Sequence, residues 1–190
     1  MTASIVANSV STWYGEVATE VLERASAVKL LICDVDGVFS DGRIYLGNDG
    51  EEFKAFHTRD GFGVKALLKH GVKVAVITGR KSRIVEQRMS GLGVTDIIQG
   101  CEEKLSAYQE LAQKYELTDA DIACIGDDIP DVAMIQQAGF GVAVFDAHPW
   151  VQQQASYTTT RSGGFGAVRE LADLILLAQG GLMLQGGVSL

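Results

Sequence analysis

Four polar clusters in this chain stand where apolar runs stop. Leu30–Cys33 breaks off at Asp34 and Asp36 in LLICDVDG, and Val74–Ile77 breaks off at Thr78 in VAVITGR. Ile122–Ile125 gives way to Asp127, Asp128 and Asp131 in IGDDIPD, and Lys104 follows the short run Asp96–Gln99 in GCEEKL. These residue types suit work on a phosphoryl group. A carboxylate can attack that anionic centre only if cations screen the approach, and Mg²⁺ takes oxygen ligands, one or two carboxylates among them. Two carboxylates at i and i+2 can divide the labour, one as nucleophile and one as proton donor and acceptor. A lysine and a threonine hydroxyl suit the remaining phosphoryl oxygens. The set reads as a Mg²⁺-dependent phosphotransfer site.

The elements that must position these residues follow from periodicity. The apolar runs at 28–33, 72–77, 96–99, 121–125 and 140–145 are each short and nearly continuous, the pattern of strands buried on both faces. Between them the spacing predicts helices over 60–70, 81–92, 102–115 and 131–138. Further helices are expected near His148-Pro149 and over 167–178, with a small strand at 157–159. Val10–Ala27 reads as a first helix, with Trp13, Val17, Val21 and Leu22 on one face. Residues 43–46 and 51–56 flank Gly47-Asn48-Asp49-Gly50 and predict a β-hairpin. Strand–helix alternation makes the fold class α/β, a doubly wound parallel sheet with a hairpin insertion. One domain over 1–190 is expected, with a glycine-rich tail from about Gly180. In such sheets ligands bind beyond the carboxyl ends of the strands, where the winding reverses. All the polar clusters therefore fall on one edge of one sheet.

Composition narrows the classes. With 47% hydrophobic and 21% charged residues the chain is globular. A net charge of −8 argues against nucleic acid as a partner, since its phosphates demand a basic surface. Much of that acidity lies in the aspartate clusters, where a divalent cation can neutralise it. No run approaches the ~18 apolar residues of a membrane span. The three cysteines have no metal-type spacing; Cys33 and Cys124 lie in strand runs as buried thiols, and Cys101 lies in a loop near Lys104. A soluble protein of the reducing cytoplasm is the expectation. The three histidines form no metal triad.

The clusters together resemble the haloacid dehalogenase superfamily of phosphatases, whose signatures are DxD, a Thr or Ser, a Lys and a GDxxxD-type acidic stretch. The longer segments LLICDVDGVFSDGRIY, GEEFKAFHTRDGFG, ITGRKS, VAVFDAHP and GGFGAVRE resemble its capless branch acting on 3-deoxy-D-manno-octulosonate 8-phosphate, over roughly 30–180. Neither 37–77 nor 79–103 has room for a cap domain. The resemblance implies Asp34 as the nucleophile that becomes an aspartyl-phosphate and Asp36 as the general acid/base. It implies Mg²⁺ held by the Asp34 carboxylate, the Asp36 main-chain carbonyl and the Asp127 side chain, with Thr78 and Lys104 on the phosphate. Asp128 and Asp131 would orient the metal's waters and Lys104. Arg59, Arg80 and Arg83 are candidates for the sugar-acid carboxylate, Arg59 favoured because its RDG segment matches. Gly163, Gly164, Gly166 and Arg169 match the distal glycine-rich segment. The branch implies a homotetramer, with hairpins associating and a neighbour's C-terminal tail closing the site, and a place in lipopolysaccharide biosynthesis. Three other readings stay open: a phosphatase for nine-carbon sialic-type 9-phosphates, a signalling receiver domain and a catalytically silent subunit. The receiver fits poorly, because here the acidic trio follows the lysine.

Overall fold

The computed structural model describes residues 8–182. Its centre is a six-stranded parallel sheet built from β3 (Leu30–Cys33), β6 (Lys73–Thr78), β7 (Asp96–Gln99), β8 (Ile122–Gly126), β9 (Phe140–Ala143) and β10 (Tyr157–Thr158). The order across the sheet is β10-β9-β8-β3-β6-β7. The chain winds outward from β3 through β6 to β7, then returns to β8 on the other side of β3. All four residues of β3 are fully buried. Successive side chains point to opposite faces, so layers cover both sides of the strand. On one side α7 (Ala167–Ala178) packs against α1 (Thr19–Ala27) and α2 (Thr58–His70), and α3 (Arg83–Leu92) meets α2. A second group, α4 (Lys104–Lys114), α5 (Val132–Gln137) and α6 (Pro149–Gln154), packs on itself and on β6, β8 and β9.

Helix ends follow local chemistry. Gly71 ends α2 and Gly93 ends α3, each in the left-handed conformation that glycine adopts without Cβ strain. His57 and His148 cap α2 and α6 by accepting main-chain N–H bonds from Arg59 and Trp150. His70 is the last residue of α2. The acidic stretch after β8 makes one 3₁₀ turn, Ile129–Asp131, before α5 begins.

One expected element is wrong. The chain does not form a helix from Val10; it forms a hairpin of β1 (Ser9–Thr12) and β2 (Gly15–Ala18), and only Thr19–Ala27 is helical. Gly15 turns the chain at φ +95°, and the Thr12 hydroxyl donates to the Gly15 carbonyl at 2.8 Å. Val10, Ser11 and Thr12 suit extended backbone better than a helix. Val17 and Val21 are buried as expected, while Trp13 is exposed. Tyr14 ties this hairpin to α7 by donating to Asp173 at 2.6 Å. The expected hairpin at 43–56 exists with shorter strands, β4 (Tyr45–Leu46) and β5 (Glu52–Phe53). Of the expected tail, 183–190 lies outside the described residues.

The loop after β3 is held by the distal glycines. A Cβ on Gly163 would sit 1.6 Å from the Gly37 carbonyl oxygen, and the Gly164 N–H donates to the Val38 carbonyl at 2.8 Å. Gly163→Ala is expected to destabilise the fold by about 1–3 kcal/mol, the usual range for overpacking. Urea unfolding checks this; an unchanged midpoint would mean that the two loops separate without cost.

Candidate active site

Strand register brings the polar clusters together. Cys33 is paired with Val76 of β6 and Ile125 of β8, so Asp34, Thr78 and Asp127 emerge within a few residues of one level. The Asp34 N–H donates to the Ile125 carbonyl at 3.0 Å, carrying the ladder one residue past β3. Lys104 opens α4 beyond β7 and is buried. Its ammonium lies 2.6 Å from Asp34 Oδ1 and 2.7 Å from Asp131 Oδ1. Asp131 uses its other oxygen to accept from the Asp127 and Asp128 N–H groups at 3.0 and 3.2 Å. That bond pattern fixes the turn after β8 and aims Asp127 at Asp34.

Backbone space here is minimal. Gly37 has φ +99°, and a Cβ on it would lie 2.0 Å from Asp127 Oδ2. Glycine lets the two acidic loops approach. The resulting cavity of about 570 Å³ is lined by Asp34, Asp36, Thr78, Arg80, Lys104 and Asp127, with Asp128 and Asp131 beside them.

Carboxylate oxygens of Asp34, Asp127 and Asp131 lie within 4.8 Å of one another. Lys104, one cation, cannot hold all three ionised. Burial, followed by the Asp131 charge, pushes the Asp34 carboxyl up despite the lysine. Burial and the Asp34, Asp131 and Asp128 charges push Asp127 up to about 8. Burial pulls Lys104 down, but Asp34 and Asp131 outweigh it and hold its pKa above the ordinary lysine value. An all-oxygen, electron-rich cluster short of positive charge fits a hard divalent ion such as Mg²⁺. Asp131 already spends both oxygens on Lys104 and main-chain N–H groups, so Asp34 and Asp127 are the carboxylates left for the ion.

Asp36 stands apart from that cluster. Its Oδ1 accepts from the Ser40 hydroxyl at 3.3 Å and is ion-paired with Lys54, while Oδ2 is buried without a hydrogen-bond partner. Sequence reasoning did not single out Lys54 or Glu52. The period-2 alternation of β5 carries the signal, because it places Glu52, Lys54 and Phe56 on one face. Of the three candidate arginines, only Arg80 lines the cavity, with Nε 3.9 Å from Asp36 Oδ2 and Nη2 3.6 Å from Glu52 Oε1. Arg59 and Arg83 are exposed and lie outside the cavity of this chain, Arg83 beside Lys81 and Glu86 on a separate surface. Asp128 is exposed and caps the 3₁₀ turn by accepting from the Ile129 N–H.

Comparison with known proteins agrees with this geometry. Residues 89–169 match the model of the haloacid dehalogenase-like hydrolase family. The chain is 49% identical over 181 residues to the 3-deoxy-D-manno-octulosonate 8-phosphate phosphatase KdsC of Yersinia pestis, covering 95% of this chain and 97% of that one. The chain belongs to this phosphatase family of haloacid dehalogenase-like hydrolases. The crystal structure of the Yersinia pestis phosphatase superposes with a TM-score of 0.91 over 92% of this chain and 95% of that one, at 49% identity. The Moraxella catarrhalis phosphatase, solved in complex with magnesium, phosphate and KDO, superposes at 0.84 with 42% identity over 85% of this chain and 93% of that one. The family relationship settles the fold: the winding read from alternating strands and helices is that of its solved members.

The raised carboxyls give a pH-dependent prediction. A carboxyl whose folded pKa exceeds its unfolded value stabilises the fold only while protonated there. This contribution is complete below about pH 4, the ordinary carboxylate range, and is lost as pH rises through about 8 for Asp127. Mg²⁺ relieves the same repulsion, so its stabilisation should grow with pH. The Mg²⁺-induced rise in Tm is expected to be larger at pH 8 than at pH 6 and to vanish in Asp127→Asn. Equal rises at both pH values in the unsubstituted protein would refute the account.

Proposed function

We propose that the chain hydrolyses 3-deoxy-D-manno-octulosonate 8-phosphate to the free sugar acid and phosphate. The carrying observation is the buried Lys104 bridge between Asp34 and Asp131 on the wall of a cavity that also holds Asp36, Thr78 and Asp127. Support for the substrate comes from 49% identity, over nearly the whole chain, to a phosphatase that carries this compound in its name.

Asp34 is the nucleophile. Lys104 anchors its Oδ1, and the carboxylate attacks phosphorus, forming an aspartyl-phosphate as the bond to the sugar oxygen breaks. Asp36 gives its proton to that departing alkoxide. It then takes a proton from the water that attacks the aspartyl-phosphate, so phosphate leaves, Asp34 is freed and Asp36 is protonated again. Thr78 and Lys104 bind the phosphoryl oxygens. Mg²⁺, held by the Asp34 and Asp127 carboxylates and the Asp36 main-chain carbonyl, supplies the positive charge that lets an anion approach a phosphate. Asp131 holds Lys104 and the Asp127 turn, and Asp128 shapes that turn. Arg80, at the cavity wall, takes the sugar-acid carboxylate; Arg59 and Arg83 have no place in one chain's cavity.

The reading extends to assembly and place. Tyr45 and Phe53, paired across the β4–β5 hairpin, are exposed on one of its faces and Ile44 and Leu46 on the other, apolar surface suited to a homotetramer. The C-terminal tail serves a neighbour's site. Among the described residues no helix is long and apolar enough to cross a membrane. The product feeds lipopolysaccharide synthesis in the cytoplasm.

The test is phosphate release, with Mg²⁺ and with EDTA, from the octulosonate 8-phosphate beside a nine-carbon sialic-type 9-phosphate. Mg²⁺-dependent preference for the octulosonate is expected. Preference for the nine-carbon acid would move the substrate and keep the chemistry; release from neither would sink the enzyme reading. Asp34→Asn should lower turnover by more than about 1,000-fold with the circular dichroism spectrum unchanged. Near-normal turnover would remove Asp34 as nucleophile. Light scattering should give four chains, and deleting 183–190 should change kcat or KM with little change in Tm. A monomer, or unchanged kinetics, would cancel the corresponding assignment.

A further inference from the structure

Lys54 lies on the hairpin, well away in sequence from every cluster that first pointed to chemistry. Its side chain is wholly buried, and its ammonium is ion-paired with Asp36 Oδ1. A buried ammonium without an acidic partner is strongly disfavoured, so this pairing fixes where both groups sit. Glu52, on the same face of the hairpin, lies 3.3 Å from the Lys54 ammonium and 3.6 Å from Arg80 Nη2. Arg80 in turn approaches Asp36 Oδ2 at 3.9 Å, beyond hydrogen-bonding distance. The two oxygens of Asp36 are therefore unequal. Oδ1 is engaged by Lys54 and by the Ser40 hydroxyl, whereas Oδ2 is buried with no hydrogen-bond partner.

We propose that Lys54 is a positioning residue for proton transfer: by pairing with Asp36 Oδ1 it holds the Asp36 carboxyl at the angle from which it exchanges its proton with the leaving group and with water. The inference rests on the reading of Asp36 as general acid/base and adds to it what holds that carboxyl. During phosphoryl transfer the Asp36 proton moves to the sugar oxygen as its bond to phosphorus breaks. During hydrolysis a water proton returns to Asp36 as the water oxygen bonds to phosphorus. Lys54 keeps its own protons throughout. Without the pin, the carboxylate can turn about its Cβ–Cγ bond towards Arg80, and the proton loses its path. Ser40 cannot replace the lysine, because a neutral hydroxyl at 3.3 Å is a weak tether.

Leaving groups separate this role from a merely structural one. A sugar alkoxide needs a proton to depart, whereas nitrophenolate leaves without one. For an aryl phosphate, kcat/KM covers steps up to nitrophenol release, and kcat includes the later, base-dependent hydrolysis. In Lys54→Met, kcat/KM for the octulosonate 8-phosphate should fall roughly 100-fold, the lower range for general acid–base catalysis. With p-nitrophenyl phosphate, kcat/KM should change by less than about threefold while kcat falls, with a pre-steady-state burst of nitrophenol marking accumulated aspartyl-phosphate. Lys54→Arg, which keeps the charge, should restore part of the loss.

Asp36→Asn is the reference for the same pattern. If it lacks the leaving-group signature, the reading of Asp36 as general acid/base fails, whatever Lys54 does. If it shows the signature and Lys54→Met instead lowers kcat/KM equally for both substrates, Lys54 supports the site as a whole and the proposal is overturned. Unchanged kinetics in Lys54→Met would overturn it too. Should Lys54→Met lose Tm, Lys54→Gln, which keeps a hydrogen-bond donor without the charge, carries the same comparison.

Discussion

The lysine shared between Asp34 and Asp131 is the constraint on which the site depends. Without it, three carboxylates whose oxygens lie within 4.8 Å would face one another in a poorly solvated pocket. Like charges at that spacing, screened weakly, cost several kcal/mol unless protons or cations intervene. Lys104 removes part of that cost and leaves the rest, which is why the Asp127 carboxyl stays pushed up. The residual repulsion is an electrostatic demand that a divalent cation such as Mg²⁺ can meet. The sheet pays for this in backbone precision. Gly37 and Gly126 must lack a Cβ, the one against Asp127 and the other against Asp131, whose Cβ would lie 2.4 Å away.

Much of this was legible in the sequence because a parallel sheet turns distance along the chain into proximity at one edge. Apolar runs of uniform type located β3, β6, β8 and β9, and where the runs of β3, β6 and β8 stop, Asp34, Thr78 and Asp127 line one cavity. Lys104 was also legible, because a residue opening the helix after β7 has to face the same edge. What escaped belongs to other physics. The N-terminal hairpin was lost because Trp13, Val17 and Val21 satisfy helical spacing, whereas the pairing of Val10 with Val17 across the turn at Gly15 has no period along the chain and is secured by the Tyr14–Asp173 bond to α7. Periodicity does not encode such long-range contacts.

The arginines show a second limit. A guanidinium beside a turn is chemically suited to a carboxylate wherever it lies, so composition could not choose among Arg59, Arg80 and Arg83. Geometry separates them. Arg80 follows β6 by two residues and inherits the sheet edge, whereas Arg59 lies in the first turn of α2 and Arg83 opens α3. Distance from a strand end, more than charge type, decided which of them reached the cavity.

Glu52 and Lys54 complete the same logic from the opposite direction. The β4–β5 hairpin is too small to cover the cavity and its strands pair over only two residues each, so it adds little to the fold by its own hydrogen bonds. Its inward face nevertheless carries one acid and one base that meet Asp36 and Arg80, residues of two different strand-end loops. A charge network spanning three loops resists the independent motion of each. Among the described residues no cap domain stands over the cavity, and that coupling holds the second aspartate of the DxD pair at a fixed angle to the first. The hairpin thus acts on the cavity through its charged face, which fixes Asp36, and leaves the paired Tyr45 and Phe53 exposed on the other.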